Sequence, residues 1–206
     1  MNAKPRLKII SNWQKLYATD KSVYGIRDSV TRGLMGELLF RNLISNENIK
    51  KRLVKGTIES KPHAGEGGRD SWYQYDWLLL SDEPSRLSFS NNPMLFLDID
   101  GIGFGAFYEK DMVSAIIEIK STSGLLGGKK GLEYYINTHM EIISFGRKWI
   151  IVAFAETDNI RQEWDNIKEK YPEGNLFILS RVSTLSKQAE EMDKAMNAVE
   201  EFLGKL

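Results

Sequence analysis

No cysteine occurs in the 206 residues of this chain. That excludes a disulfide framework and any zinc site built on thiolates. Histidine is nearly absent as well: His63 and His139 are the only two, too few for a His-rich metal site. A metal bound here would be held mostly by oxygen, which points to magnesium, manganese or calcium. Net charge is missing too. The 28 basic and 28 acidic residues cancel, a balance that neither demands nor excludes nucleic acid, so a phosphate-bearing partner would have to meet a local basic patch. No apolar run approaches the roughly 18–20 residues of a membrane span. The opening residues, MNAKPRLKIISNWQK, lack the apolar core and cleavage site of a signal peptide. The expectation is a soluble cytoplasmic protein with no membrane partner.

What is present suits one medium-sized unit. The length and the 42% hydrophobic content fit a single domain over 1–206 with one real core. Helical spacing of Leu34, Leu38 and Leu43, widened by Met35, Leu39 and Ile44, predicts a helix over Thr31–Ile44. The period then changes. Strands are predicted at Leu53–Ser60, at the aromatic-rich Ser71–Leu80, at Met94–Ile99 and at Ser114–Ser121. The segment after Ile99, GIGFGAFYEKD, reads as turn-rich. From Leu132 onward helices alternate with apolar strands: a helix to Phe145, a strand at Lys148–Glu156, a helix at Asn159–Lys170, a strand at Asn175–Ser180 and a long helix from Thr184 to the Leu203 region, about 184–204. Strands first and αβ alternation later predict an α/β protein with a mixed central sheet flanked by helices.

Two charged features interrupt the apolar strands. In SAIIEIKS the side chains alternate, so Glu118 and Lys120 point to one side at the strand's end. In SWYQYDWLLL, Asp76 sits between Tyr75 and Trp77, and parity places Gln74, Asp76 and Leu78 on one face. A carboxylate inside such a strand must be paired, hydrogen-bonded or bound to metal. With the two strands side by side, Asp76 and Glu118 could hold one hard cation, with the Ile119 main-chain carbonyl as a further ligand. Lys120 would then stand where it could activate a water and stabilise charge on a phosphate. Metal-assisted phosphodiester hydrolysis needs those parts.

Tyr75-Asp76 followed by Glu118-Ile119-Lys120 resembles the PD-(D/E)XK nuclease superfamily, with tyrosine in place of the superfamily's proline. The surrounding text resembles a group of uncharacterised bacterial and phage members. These share a G-E helix, an S-x-Q-x-D strand and an apolar strand ending E-x-K-S-T. Here those are Gly36-Glu37, the run from Ser71 through Gln74 to Asp76, and Glu118 through Thr122, although the serine lies three rather than two residues before the glutamine. The resemblance covers about 31–155. It implies a restriction-endonuclease-like fold, a magnesium ion for which manganese can substitute, and nucleic acid, DNA first of all, as substrate. It also implies that Glu37 completes the metal site and leaves room for a homodimer, because enzymes that cut both strands often use two sites. The Leu185–Leu203 stripe could serve such pairing or pack on the core.

Weaker candidates stand beside these. Gln74 could position substrate, and Lys129 and Lys130 could contact phosphates; a cross-strand bond and a solvated loop are their ordinary roles. Glu37 and Arg41, four apart, could form a helix-surface pair. LDIDG imitates the nucleophile loop of haloacid-dehalogenase-like phosphatases, with Asp98 attacking phosphorus and Asp100 as acid and base. About 95 residues precede that motif where the fold would open on it, and Asp100-Gly101 also suits a surface turn. The remaining alternative is a nuclease-like scaffold that binds DNA or protein without cutting.

Overall fold

A computed structural model describes residues 6–12, 29–58, 63–64, 70–71, 75–84, 95–97, 104–120, 130–154, 158–179 and 189–206. Its centre is a seven-stranded mixed sheet. The strands are β1 (Leu53–Ile58), β4 (Tyr75–Leu80), β5 (Leu95–Leu97), β6 (Phe104–Tyr108), β7 (Val113–Lys120), β8 (Lys148–Phe154) and β9 (Gly174–Leu179), in the order β5-β6-β1-β4-β7-β8-β9. The two-residue strands β2 (His63–Ala64) and β3 (Asp70–Ser71) form a separate pair. β7, β8 and β9 run parallel, whereas β4 is antiparallel to both β1 and β7.

Helices cover both faces, as the alternating pattern predicts. On one face lie α4, a helix over 132–143, and α5 (Asp158–Ile167); their Leu132, Ile136, Met140, Ile160 and Trp164 pack on Leu78, Ile116 and Ile151. On the other lie α1 over 6–12, α2 (Ser29–Leu43), α3 (Glu47–Arg52) and α6 (Ala189–Leu203), with Leu39, Phe40, Leu43, Met192, Met196, Val199 and Leu203 against Leu79, Ile117, Ile150 and Val152. β8 reads as an unbroken apolar run because it is buried on both faces, the normal state of an inner parallel strand. Each such side chain contributes about 1.5–3 kcal/mol on burial.

Several elements differ from the sequence expectation. Residues 104–108 form a strand, not a turn: FGAFY pairs parallel to β1 and antiparallel to β5. Gly103 and Gly105 hide it, since glycine is depleted in strands. α3 is an additional helix, capped by Asn46, whose side-chain oxygen accepts from the N–H groups of Asn48 and Ile49. Leu38 does not join the buried stripe of α2; it is exposed, while Leu39, Phe40 and Leu43 face the sheet. The α6 stripe is spent on the core, so that face is not left for a second copy. α4 contains a π-helical turn at Ile136–Met140, a form frequent at functional sites. Gly174 is required by its neighbour: a Cβ there would lie 2.1 Å from the Trp149 ring, which stacks edgewise near Trp164 and Tyr171. Among the described residues, no helix is long and apolar enough to cross a membrane.

Candidate active site

β4 and β7 are neighbours, paired Trp77 to Ile117 and Leu78 to Ile116. Beyond the last of these pairs, Asp76 lies beside the Glu118–Ile119 stretch of β7, where it accepts the Ile119 N–H and feels the Glu118 charge. The site therefore lies where the parallel strands β7 and β8 finish, the usual place for function in sheets of this kind.

Simple parity fails at Asp76, and the failure aims it. Between the pairs Val54–Leu78 and Gly56–Tyr75, β1 advances two residues and β4 advances three. The extra residue makes a bulge at Asp76–Trp77. Tyr75 consequently joins Leu78 in the core of the α4 face, while Trp77 joins the opposite core. Parity had put Asp76 and Leu78 on a shared face; the bulge instead turns Asp76 to the edge of β7, where its Oδ2 accepts the Ile119 N–H at 2.6 Å. The C=O of a strand residue leaves on the same edge as its N–H, so the Ile119 carbonyl also projects toward β4. A second bulge, at the start of β7, separates Ser114 from Ile116: the Ser114 hydroxyl meets the Leu206 carbonyl on the α6 side at 3.4 Å. From Ile116 onward the alternation holds and brings Glu118 and Lys120 together.

Glu118 is 3% exposed. Its Oε1 is paired with the Lys120 ammonium and lies 3.6 Å from His139 Nε2. Lys120 also sits 5.7 Å above the centre of the Tyr135 ring, which lies 4.9 Å from the His139 ring. The hydroxyl of Tyr75 donates to the Ile143 carbonyl at 2.7 Å and so fastens α4 to β4 beside the site.

The electrostatics follow from this packing. Burial, the Glu118 charge and the Glu37 charge push the Asp76 carboxyl up to about 8, against the lowering effect of the Ile119 N–H. Burial alone would raise Glu118 as well, but the His139 hydrogen bond and the Lys120 ammonium outweigh it and hold Glu118 below the usual carboxylate range. The two neighbouring acids thus share their charge unequally. Burial and then Glu118 raise the Tyr75 and Tyr135 hydroxyls, keeping both protonated.

Glu37 lies close enough to Asp76 for its charge to raise that carboxyl. The Glu37 carboxylate is ion-paired with Lys55 of β1, and not with Arg41. Among the described residues, no group of three or more His, Asp or Glu side chains is placed to hold a metal. The basic run from Lys50 to Lys55 is likewise engaged: Lys50 with Glu47, Lys51 with Glu83 and Arg52 with the Leu80 carbonyl. Lys130 is exposed and bonds the Tyr134 hydroxyl at 3.1 Å. Gln74, Lys129, Asp98 and Asp100 lie outside the described residues. β5, which leads into LDIDG, is an edge strand antiparallel to its neighbour.

Two residues that the sequence reading passed over, Tyr135 and His139, line the site from α4. They are four apart and so share a helix face, but that spacing carries no chemistry until the helix is docked on β7. The oxygen donors suit a hard cation: magnesium is commonly held by only one or two carboxylates, with waters and substrate phosphate completing its shell. No protein-family model matches the chain, and neither the curated proteins nor the solved structures contain a match to it.

Proposed function

We propose that the chain is a divalent-metal-dependent nuclease of restriction-endonuclease-like fold, hydrolysing phosphodiester bonds in nucleic acid, DNA first of all. The observation that carries this reading is the pairing of β4 with β7, which brings half-buried Asp76 beside buried Glu118, with Lys120 alongside. The order of strands, the E-x-K at the end of an apolar strand and the preceding strand aspartate support it as a set.

Asp76 and Glu118 would hold magnesium or manganese, with the Ile119 carbonyl on the same edge. When bound, the ion would polarise the phosphoryl oxygen and lower the pKa of an attacking water. Lys120 supplies positive charge beside the reacting phosphate and a donor that orients the water. Its ammonium is fixed by Glu118 on one side and the Tyr135 ring on the other, so little reorganisation is needed. His139 and Tyr135 set the position of Glu118 and Lys120 from the helix side.

The test is to incubate the purified protein with plasmid, single-stranded DNA and RNA in magnesium, manganese or EDTA. Cleavage should require the metal and disappear in Asp76→Ala and Lys120→Ala; cleavage that survives both substitutions sinks the reading. One observation favours a second reading, a nuclease-like module that binds without cutting: Glu37 is taken by Lys55, and no three-ligand cluster stands ready among the described residues. DNA binding with no cleavage in either metal would select it.

A further inference from the structure

We propose that Tyr134 and Lys130, at the N-terminal end of α4, form a platform for an unpaired nucleotide beside the site: the ring stacks on its base and the ammonium meets its phosphate. This rests on the nuclease reading and specifies the substrate as a nucleic acid with unpaired bases, whether a single strand, a flap or an overhang.

Tyr134 is 43% exposed, one of three large apolar side chains left open to water among the described residues; Leu38 and Ile142 are the others. Its neighbours mark it out. The Lys130 ammonium lies 4.4 Å from the centre of the Tyr134 ring and bonds its hydroxyl at 3.1 Å. The next residue, Tyr135, carries Lys120 5.7 Å over its own ring. Two lysine–tyrosine pairs therefore stand next to each other, one at the reacting centre and one outside it. Tyr134, Thr138 and Ile142 are four apart and share the outward side of α4, away from Leu132, Ile136 and Met140, which pack on the sheet.

The charges around the site favour this kind of partner. Other lysines are engaged by acids: Lys120 by Glu118, Lys55 by Glu37 and Lys170 by Glu133. Lys130 meets no carboxylate among the described residues; it holds the Tyr134 hydroxyl and ring. The start of the helix offers a phosphate little, since the Leu132 N–H already donates to Glu163 of α5 at 2.9 Å. A duplex gripped through phosphates needs a row of uncommitted cations, and 28 basic residues balanced by 28 acidic ones do not provide it. A base stacked on a ring supplies affinity that needs no charge. Bases inside a duplex are already stacked on both faces, so only an unpaired base can use the Tyr134 ring.

Fluorescence anisotropy in EDTA, which withholds the metal, measures binding apart from cleavage. The wild type should bind labelled oligothymidylate of about 12 nucleotides at least about tenfold more tightly than a hairpin duplex of the same length. Tyr134→Ala should lose about tenfold on the single strand and under about twofold on the duplex, whereas Tyr134→Phe, which keeps the ring, should stay within about threefold of the wild type. Lys130→Gln should reduce the slope of log affinity against log salt by about 0.7, the share of one phosphate on a single strand. Equal binding of single strand and duplex, or a Tyr134→Ala variant with undiminished single-strand affinity, overturns the inference; metal-dependent cleavage that needs Asp76 and Lys120 would still uphold the nuclease reading. A dimer that Tyr134→Ala and Ile142→Ser dissociate, with single-strand affinity unchanged, overturns it in favour of a second copy on this face. Neither binding nor cleavage of any nucleic acid overturns both. Circular dichroism checks the fold of each variant; should Tyr134→Ala not fold, the wild type's preference for the single strand and the Lys130→Gln slope carry the decision.

Discussion

Around Arg6, a guanidinium stands between two acids; around Asp76, two acids stand face to face with their cations on the outside. Arg6 is buried, and each of its nitrogens is used. Nε donates to the Leu43 carbonyl at 2.8 Å, Nη1 to Asp193 at 2.8 Å and Asn197 at 2.6 Å, and Nη2 to Ser45 at 2.8 Å, with Glu200 3.0 Å away. Glu200 in turn accepts from the Ser45 hydroxyl and the Asn46 N–H. This cluster ties α1, the α2–α3 junction and α6 into one clasp. The Asp76 cluster is less buried and differently arranged: Lys120 serves Glu118, Lys55 serves Glu37, and Asp76 between them is pushed up to about 8 by burial and by both acids. A buried charge set with its cation in the middle is complete in itself. One with its acids in the middle carries a repulsion that a further cation would relieve.

The largest expected effect sits on the open cluster. Asp76→Asn and Glu118→Gln should each lower DNA cleavage by about a thousandfold or more without unfolding the protein, as loss of a metal ligand does; cleavage rates in magnesium check this, and near-normal rates would dissolve the contrast. On the closed cluster the damage should be to stability instead. Arg6→Met leaves Asp193 and Glu200 buried without their cation, an expected loss of about 3–5 kcal/mol, or about 10 °C in Tm. Calorimetric melting would show it, and a shift under two degrees would mean the clasp carries little.

A smaller effect concerns pH. Asp76 binds its proton more tightly folded than unfolded, because about 8 lies above its ordinary 3.8. Its contribution to stability is therefore fully present below about pH 4 and is lost as pH rises through about 8. Asp76→Asn should melt above the wild type at pH 9 in EDTA, with the gap closing toward pH 4; urea unfolding across that range would reveal a gap of the opposite sign if the acids are not in conflict. Smallest is His139→Gln. It should slow cleavage by about tenfold with Tm nearly unchanged, since His139 touches Glu118 from the second layer. A loss as large as that of Asp76→Asn would promote His139 to direct participation.

Much of this was legible from local pattern. β8 is an almost unbroken apolar run, and β7 is an apolar run with its charges gathered at one end, so both read as strands from the sequence. Glu118 and Lys120 are two apart at the end of β7, and alternation alone brings them together. The buried stripe of α6 follows from helical spacing of Met192, Met196, Val199 and Leu203. These features depend on residues within one element, where the period of the chain fixes direction.

The rest depended on partners far along the chain. Strand parity misdirected Asp76 because a bulge is set by the register with β1, which no spacing within SWYQYDWLLL records. FGAFY became a strand because β1 and β5 accept it, despite its glycine. Glu37 sits on α2 as the motif suggests, but its partner is Lys55, eighteen residues on and in another element, so only the docking of α2 against β1 and Trp77 decided which cation it meets. His139 and Tyr135 carry no signal until α4 lies on β7. The sequence by itself determined the elements and the charges they carry, because backbone periodicity is local. The tertiary structure decided which charges face each other, because register, bulges and helix docking are set by packing between distant segments.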